Sequence, residues 1–312
     1  MTQSVNVEVV TSGSAECWFR AISAADPEPE QLGRLQQLLA GGSLNPHLRL
    51  IIERDGIPFG RMAAQIKEGA VRFWLPSFRL GTSAEIRQKA MERLVDELLV
   101  LRLELKLNQL CVETRPGDDL PDNAFWLATL RTKGFAETAA YKVYVLHLDK
   151  PSEPRTVQPE LRTVSVDRTR DDRIISLYKR VNVKTLERRD LQLDQPARYL
   201  ESLAELGLGR NHSTWILATR SGHDVGYALA NQARRDGFPG MGSWLLELGC
   251  VVEERRTGIA SALVVEVAKR LRIAGCRWLF STIDEINLPS VSLHTKLGFE
   301  ALPGRHYVYR LS

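Results

Sequence analysis

The sequence predicts an α/β (α+β) chain made of two successive copies of one mixed unit, and three observations carry that prediction. The first is a seam: Asp149–Pro159 holds three prolines in nine positions between two alternating, strand-like runs, Tyr141–Leu148 and Glu160–Val166. It divides the 312 residues into segments 1–150 and 159–312 joined by a linker at 151–158, each segment long enough for a core of its own. The second is a repeat of element types in the same order on both sides of the seam. The third is a shared spacing, in which an asparagine stands eleven residues before the glycine of a Gly-Phe pair: Asn123 to Gly134-Phe135, and Asn287 to Gly298-Phe299.

The elements follow in order. Leu50–Ala64 reads as strand, Asp-Gly turn and strand, and Trp215–Ala230 repeats it. A third strand comes next, Val71–Leu75 in the first copy and Trp244–Val252 in the second. A long amphipathic helix follows, Ser83–Leu103 or Gly258–Ile273, because apolar residues recur there with helical period. The next strand is Gln109–Thr114 or Arg277–Ile283, and the asparagine-led segment then closes on the Gly-Phe pair.

Composition narrows the partners. The balance of 42 basic against 38 acidic residues is spread along the chain, so nucleic acid is not expected to bind. No run of ~18 apolar residues and no signal-like start occurs, so the protein is expected to be cytoplasmic and to make no membrane contact. Cys17, Cys111, Cys250 and Cys276 are widely spaced without a CxxC pair, which points neither to a disulfide framework nor to a metal site.

The chemistry concentrates where the strand Trp244–Val252 runs into Glu253–Leu263. The turn has the form Arg-x-x-Gly-x-Ala from Arg255 to Ala260. Small residues there admit a ligand close to the backbone, and the first-turn N–H groups of the helix stay unpaired. With Arg255 and Arg256 beside it, such a turn suits a pyrophosphate. The segment Asn287–Phe299 follows the next strand and reads as a short helix closed by glycine.

Together these two segments resemble the acyl-CoA-binding motifs of the GNAT superfamily of N-acetyltransferases, over about Leu246–Phe299. The resemblance implies two tandem GNAT domains, each a mixed, mostly antiparallel twisted sheet flanked by helices. It implies acetyl-CoA, or another acyl-CoA, as co-substrate and no metal. It places Cys250, Val251 and Val252 against pantetheine, and Arg255, Arg256, Thr257, Gly258, Ile259, Ala260 and Ser261 around the pyrophosphate. Asn287 would hold the pantetheine arm, and Ser290 would cap or orient the short helix. His294 stands where many members carry a tyrosine acid, and imidazole chemistry suits either acid or base. Glu247, which interrupts an apolar strand, is the first candidate for the base, with a solvated surface carboxylate as the alternative. Asp284 and Glu285 are candidates to bind a cationic acceptor, while Tyr307 and Tyr309 read as core residues.

The first half lacks the Arg-x-x-Gly-x-Ala turn and carries Leu130 in the position of His294, so it reads as a degenerate domain that binds no cofactor. The actinobacterial mycothiol synthases share that layout. The implied function is transfer of an acetyl or other acyl group from CoA to a primary amine of a small molecule by direct attack in a ternary complex. The alternatives are an acyl-CoA sensor without turnover, and a protein or peptide acetyltransferase. The chain is expected to be a monomer or homodimer, with acceptor contacts from variable loops such as Val181–Pro196 and Ala233–Gly242.

Overall fold

In the computed structural model of the protein, the described residues are 5–22, 29–41, 49–67, 70–107, 109–114, 124–149, 160–164, 172–183, 185, 195–204, 206, 208, 213–235 and 237–311. Asn123, the linker at 151–158 and most of the loop before Pro196 lie outside them. The chain forms two compact units. One comprises Met1–Ala140 with Pro303–Ser312, and the other Tyr141–Leu302.

In the first unit, β1 (Val5–Val9), β2 (Arg49–Arg54), β3 (Ile57–Lys67) and β4 (Ala70–Trp74) form an antiparallel series, accompanied by α1 (Ala15–Arg20) and α2 (Pro29–Ala40). The short β5 (Ser77–Phe78) pairs with β3. Helix α3 (Ala84–Glu104) then crosses over to β6 (Gln109–Glu113), which runs parallel to β4. Its buried residues Ala90, Met91, Leu94, Val95, Leu98 and Leu101 form one apolar stripe, and this stripe explains why a segment with three arginines still folds as a helix on the sheet. Helix α4 (Ala124–Thr132) follows.

The second unit repeats the plan. β8 (Glu160–Val164), β9 (Ser213–Arg220), β10 (His223–Arg235) and β11 (Phe238–Cys250) are antiparallel in turn. Helices α5 (Asp172–Val181) and α6 (Pro196–Ala204) come between β8 and β9. Helix α7 (Ile259–Ile273) crosses over to β12 (Cys276–Asp284), which is parallel to β11. Helix α8 (Leu288–Lys296) and the two-residue β13 (Glu300–Ala301) follow. The core packs Ile259, Leu263, Val264, Val267 and Leu271 of α7 against Trp215, Ala228 and Leu279 of the sheet.

The compact units do not follow the seam in the sequence, and the reason is where the last strand of each half goes. β7 (Ala136–His147) closes the first half, yet its residues Tyr141–His147 pair antiparallel with β12 of the second unit. β14 (His306–Leu311) closes the chain, yet pairs antiparallel with β6 of the first unit. Each sheet is therefore completed by a strand from the other half of the sequence. Tyr309 accordingly sits fully buried in the first unit's core, with Tyr307 packed beside it. Among the described residues no helix is long and apolar enough to cross a membrane.

Candidate active site

The site is built where β11 and β12 part. The two strands pair in parallel from Met241 with Cys276 to Leu245 with Ser281. Beyond that point β11 continues only beside β10 and β12 only beside β7. A bulge at Leu246 marks the fork, because Glu247 opposes Leu229 while Leu245 opposes the next residue, Ala230. The edge of β11 that faced β12 thus has no strand partner from Leu246 onward.

Past Cys250 the chain makes a 3-10 turn, Val252–Glu254, and enters α7 through two left-handed residues, Arg256 at φ 68° and the N-cap Gly258 at φ 92°. Gly258 has no side chain to cap the helix, so the N–H groups of Ile259, Ala260 and Ser261 have no intrahelical acceptor. A cleft of 510 Å³ opens over this turn and runs along Leu248–Cys250 to Asn287, Ser290 and Lys296 of the α8 region. Arg256, Gly258, Ile259, Ala260 and Ser261 line it. Backbone donors and a guanidinium at the turn, in a cleft that Lys296 also lines, are a donor set that fits a pyrophosphate.

Three residues assigned to the co-substrate stand outside this lining. Val251 is buried just past the end of β11, and its N–H donates to the Val225 carbonyl at 2.9 Å. Val252 opens the 3-10 turn, and the Thr257 hydroxyl donates to the Glu254 carbonyl at 2.7 Å. Arg255 lines the cleft but spends its Nη2 on the carbonyls of Val181 and Val183, at 3.0 Å each, which ties the end of α5 to the turn. Cys250 lines the cleft as well, its thiol pushed up by burial, with Arg255 opposing and Glu254 reinforcing the shift.

A smaller notch of 60 Å³ lies in the fork itself, lined by Glu247, Asp284, His294 and their neighbours on β11, β12 and α8. Glu247 is only 4% exposed, which removes the solvated-carboxylate alternative, and it lines cleft and notch alike. Its Oε1 accepts the Tyr199 hydroxyl of α6 at 2.5 Å. His294, at 2% exposure, is no surface histidine. Its Nδ1 lies 2.8 Å from the Ser290 carbonyl, while Nε2 is buried without a hydrogen-bond partner. Burial pushes its pKa down to about 4, the Ser290 carbonyl opposing that shift, so the ring is neutral at pH 7. Asn287 caps α8 by accepting the Ser290 N–H at 3.3 Å, which holds the His294 helix in register with the fork.

Tyr199 is the residue the sequence reading passes over. The signal exists: Pro196, Tyr199, Leu200, Leu203 and Ala204 form a helical apolar stripe that puts Tyr199 on the buried face of α6. Nothing in that stripe says which strand residue it meets. Asn182 and Thr185, which also line the cleft beyond α5, carry no such signal.

Comparison with known proteins agrees with this geometry. The acetyltransferase (GNAT) family model matches residues 176–299. A tandem GNAT protein from the clavulanic acid biosynthesis pathway is similar over 99% of this chain and 98% of its own, at 14% identity and a TM-score of 0.64. A GCN5-related N-acetyltransferase from Sphaerobacter thermophilus is similar over 98% and 95%, at 16% identity and a TM-score of 0.59. The N-myristoyltransferase of Saccharomyces cerevisiae, solved with bound myristoyl-CoA, is similar over 100% and 79%, at 9% identity and a TM-score of 0.60. No curated protein matches the chain by sequence. Residues 176–299 thus match the GNAT family, and the whole chain has the fold of a tandem GNAT protein. It is an acyltransferase that draws its acyl group from CoA.

Proposed function

We propose that the protein is an N-acetyltransferase that moves the acetyl group of acetyl-CoA to the primary amine of a small molecule by direct attack in a ternary complex. The observation that carries this reading is Glu247, a buried carboxylate shared by the cleft that suits the co-substrate and the notch in the fork. In such a complex the acceptor ammonium gives up one proton, its nitrogen bonds to the thioester carbon, the C–S bond breaks, and the thiolate takes a second proton from nitrogen to leave the neutral amide. Glu247 and the neutral His294 are two groups lining the fork able to accept the first. The unpaired edge of β11 past Leu245 offers backbone N–H groups for the developing oxyanion. The raised pKa keeps the Cys250 thiol protonated and a poor nucleophile, which favours direct attack over an acyl-cysteine relay. Small acceptors are favoured because α6 closes over Glu247 through Tyr199, leaving a confined approach.

The first unit is read as silent. Its α3 is capped by Ser83, whose hydroxyl accepts the Ile86 N–H, so the donors left open at Gly258 are partly taken here. β4 pairs with β6 along its whole length and makes no fork, and Leu130 is buried in the core. Calorimetric titration with acetyl-CoA tests both halves of the reading. One site per chain is expected, lost on Gly258→Val because a β-branched residue cannot hold φ 92°. Two sites would overturn the silent assignment, and no binding would overturn the use of acetyl-CoA. A panel of small amines against peptides, assayed for thiol release, then separates the acceptor classes.

A further inference from the structure

We infer that Arg220, the last residue of β9, is a positioning residue for the co-substrate: it neutralises Glu254 beside the pyrophosphate turn and thereby lets that turn hold an anion. This rests on the acetyl-CoA reading above and adds a residue that lies far from the turn in the sequence. Glu253-Glu254-Arg255-Arg256 is two carboxylates followed by two guanidiniums, so the segment that leads into the turn brings no net charge of its own. Arg255 is moreover committed to the carbonyls of Val181 and Val183. The difficulty is Glu254, which lines the same cleft as Arg256, Gly258 and Ala260 and whose charge helps to raise the Cys250 thiol there. A bare carboxylate on that wall would repel the phosphates.

The fold answers with Arg220. Ser221 at φ 51° and Gly222 at φ 80° make a two-residue turn between β9 and β10, so Arg220 and His223 face each other at the end of the hairpin. Ala218, Gly226 and Cys250 stand in one row across β9, β10 and β11, and this register brings the end of β9 to the side of the sheet from which β11 leaves for α7. Arg220 Nη1 donates to Glu254 Oε2 at 2.6 Å, the two side chains being 32% and 22% exposed. The Thr257 hydroxyl, which donates to the Glu254 carbonyl, lies 3.4 Å from the same Oε2. One carboxylate oxygen therefore joins a guanidinium from β9 to the residue before the N-cap Gly258. With this third guanidinium the segment and its brace carry one net positive charge, in a partly buried pair that salt screens less than an open one.

Calorimetric titration of the full chain with acetyl-CoA, at low and at high sodium chloride, tests this. Arg220→Gln should weaken binding about tenfold at low salt, and the loss should shrink at high salt, where the unmasked charge of Glu254 is screened. Glu254→Gln, which keeps an oxygen for Arg220 and Thr257, should bind more tightly than the wild type. The double variant should regain most of what Arg220→Gln loses. A brace that only props the turn would behave otherwise: both single variants would bind weakly, the double variant would be no better, and salt would leave the losses as they stand. Any of those results, or an Arg220→Gln that binds as well as the wild type, would overturn the proposal. If circular dichroism shows that Arg220→Gln does not fold, Glu254→Gln alone decides: tighter binding supports the proposal, and equal or weaker binding overturns it. A wild-type chain that binds no acetyl-CoA condemns the co-substrate reading and this inference with it, whereas wild-type binding with an indifferent Arg220→Gln condemns this inference alone.

Discussion

Two buried side chains decide what the fork can do, and each makes a prediction. Glu247 is oriented by Tyr199, so Glu247→Gln should cost ~10²–10⁴ in kcat with acetyl-CoA affinity nearly unchanged, as expected for a proton-transfer group. Tyr199→Phe should lower kcat less, by about tenfold, since it loosens the carboxylate without removing it. Equal losses of acetyl-CoA affinity in both variants would make Glu247 a packing residue. His294 speaks through stability. Its folded pKa of about 4 lies below the ordinary 6.5, so between those values the unfolded chain binds a proton that the native protein does not. Stability contributed by the neutral ring is full above pH 6.5 and falls as pH drops towards 4, by up to ~3 kcal/mol. Urea midpoints at pH 7.5 and 5 should therefore diverge more for the wild type than for His294→Gln. At this scale the sequence shows that a carboxylate interrupts a strand and that a histidine sits in a helix. Their burial, and the tautomer set by Ser290, arise from groups brought in by folding.

The useful element is a junction, in which one parallel strand pair opens at a bulge and a helix starts at a glycine. The contrast between Gly258 at the head of α7 and Ser83 at the head of α3 shows how one residue leaves a helix terminus open or closes it. The end of α5 is held to this junction from two sides. A Cβ on Gly249 would come within 2.2 Å of Val181 Cγ1, so the helix rests directly on the β11 backbone. Gly249→Ala should push α5 away, costing ~1–3 kcal/mol and weakening acetyl-CoA because Val181 and Asn182 line its cleft. Arg255→Ala removes both hydrogen bonds to the carbonyls of Val181 and Val183, each worth about 1.5–3 kcal/mol for a charged donor if fully formed. Thermal melts and acetyl-CoA titrations of the two variants check this, and an unshifted melt for both would mean that α5 is held elsewhere.

At the scale of the whole molecule the exchange of β7 and β14 is the main fact. A protease site placed in segment 151–158 should yield two fragments that stay together through gel filtration. The fragment ending before the cut supplies Tyr141–His147 to the second unit, and the other supplies β14 to the first. Fragments that separate without denaturant would contradict the exchange. Cutting the chain to 159–312 should likewise leave β12 without its β7 partner, an open edge prone to association.

The alternation of apolar residues, the turn pairs and the Arg-x-x-Gly-x-Ala segment are local, and local signals survive in a linear string. For that reason the repeat, the long helix between two strands, and the turn at Gly258 could be read in advance, whereas the parallel pairing of those strands could not. The assignment of Val251, Val252 and Thr257 to the co-substrate came from position in a motif, whereas the Val251 N–H and the Thr257 hydroxyl donate to Val225 and Glu254, partners that no motif names. The partners of Glu247, the emptiness around Nε2 of His294 and the crossing of the last strands depend on contacts between residues far apart in the chain. Strand pairing has no address written in either strand: β7 and β14 carry similar alternation, and only packing against β12 and β6 decided which sheet each one completes.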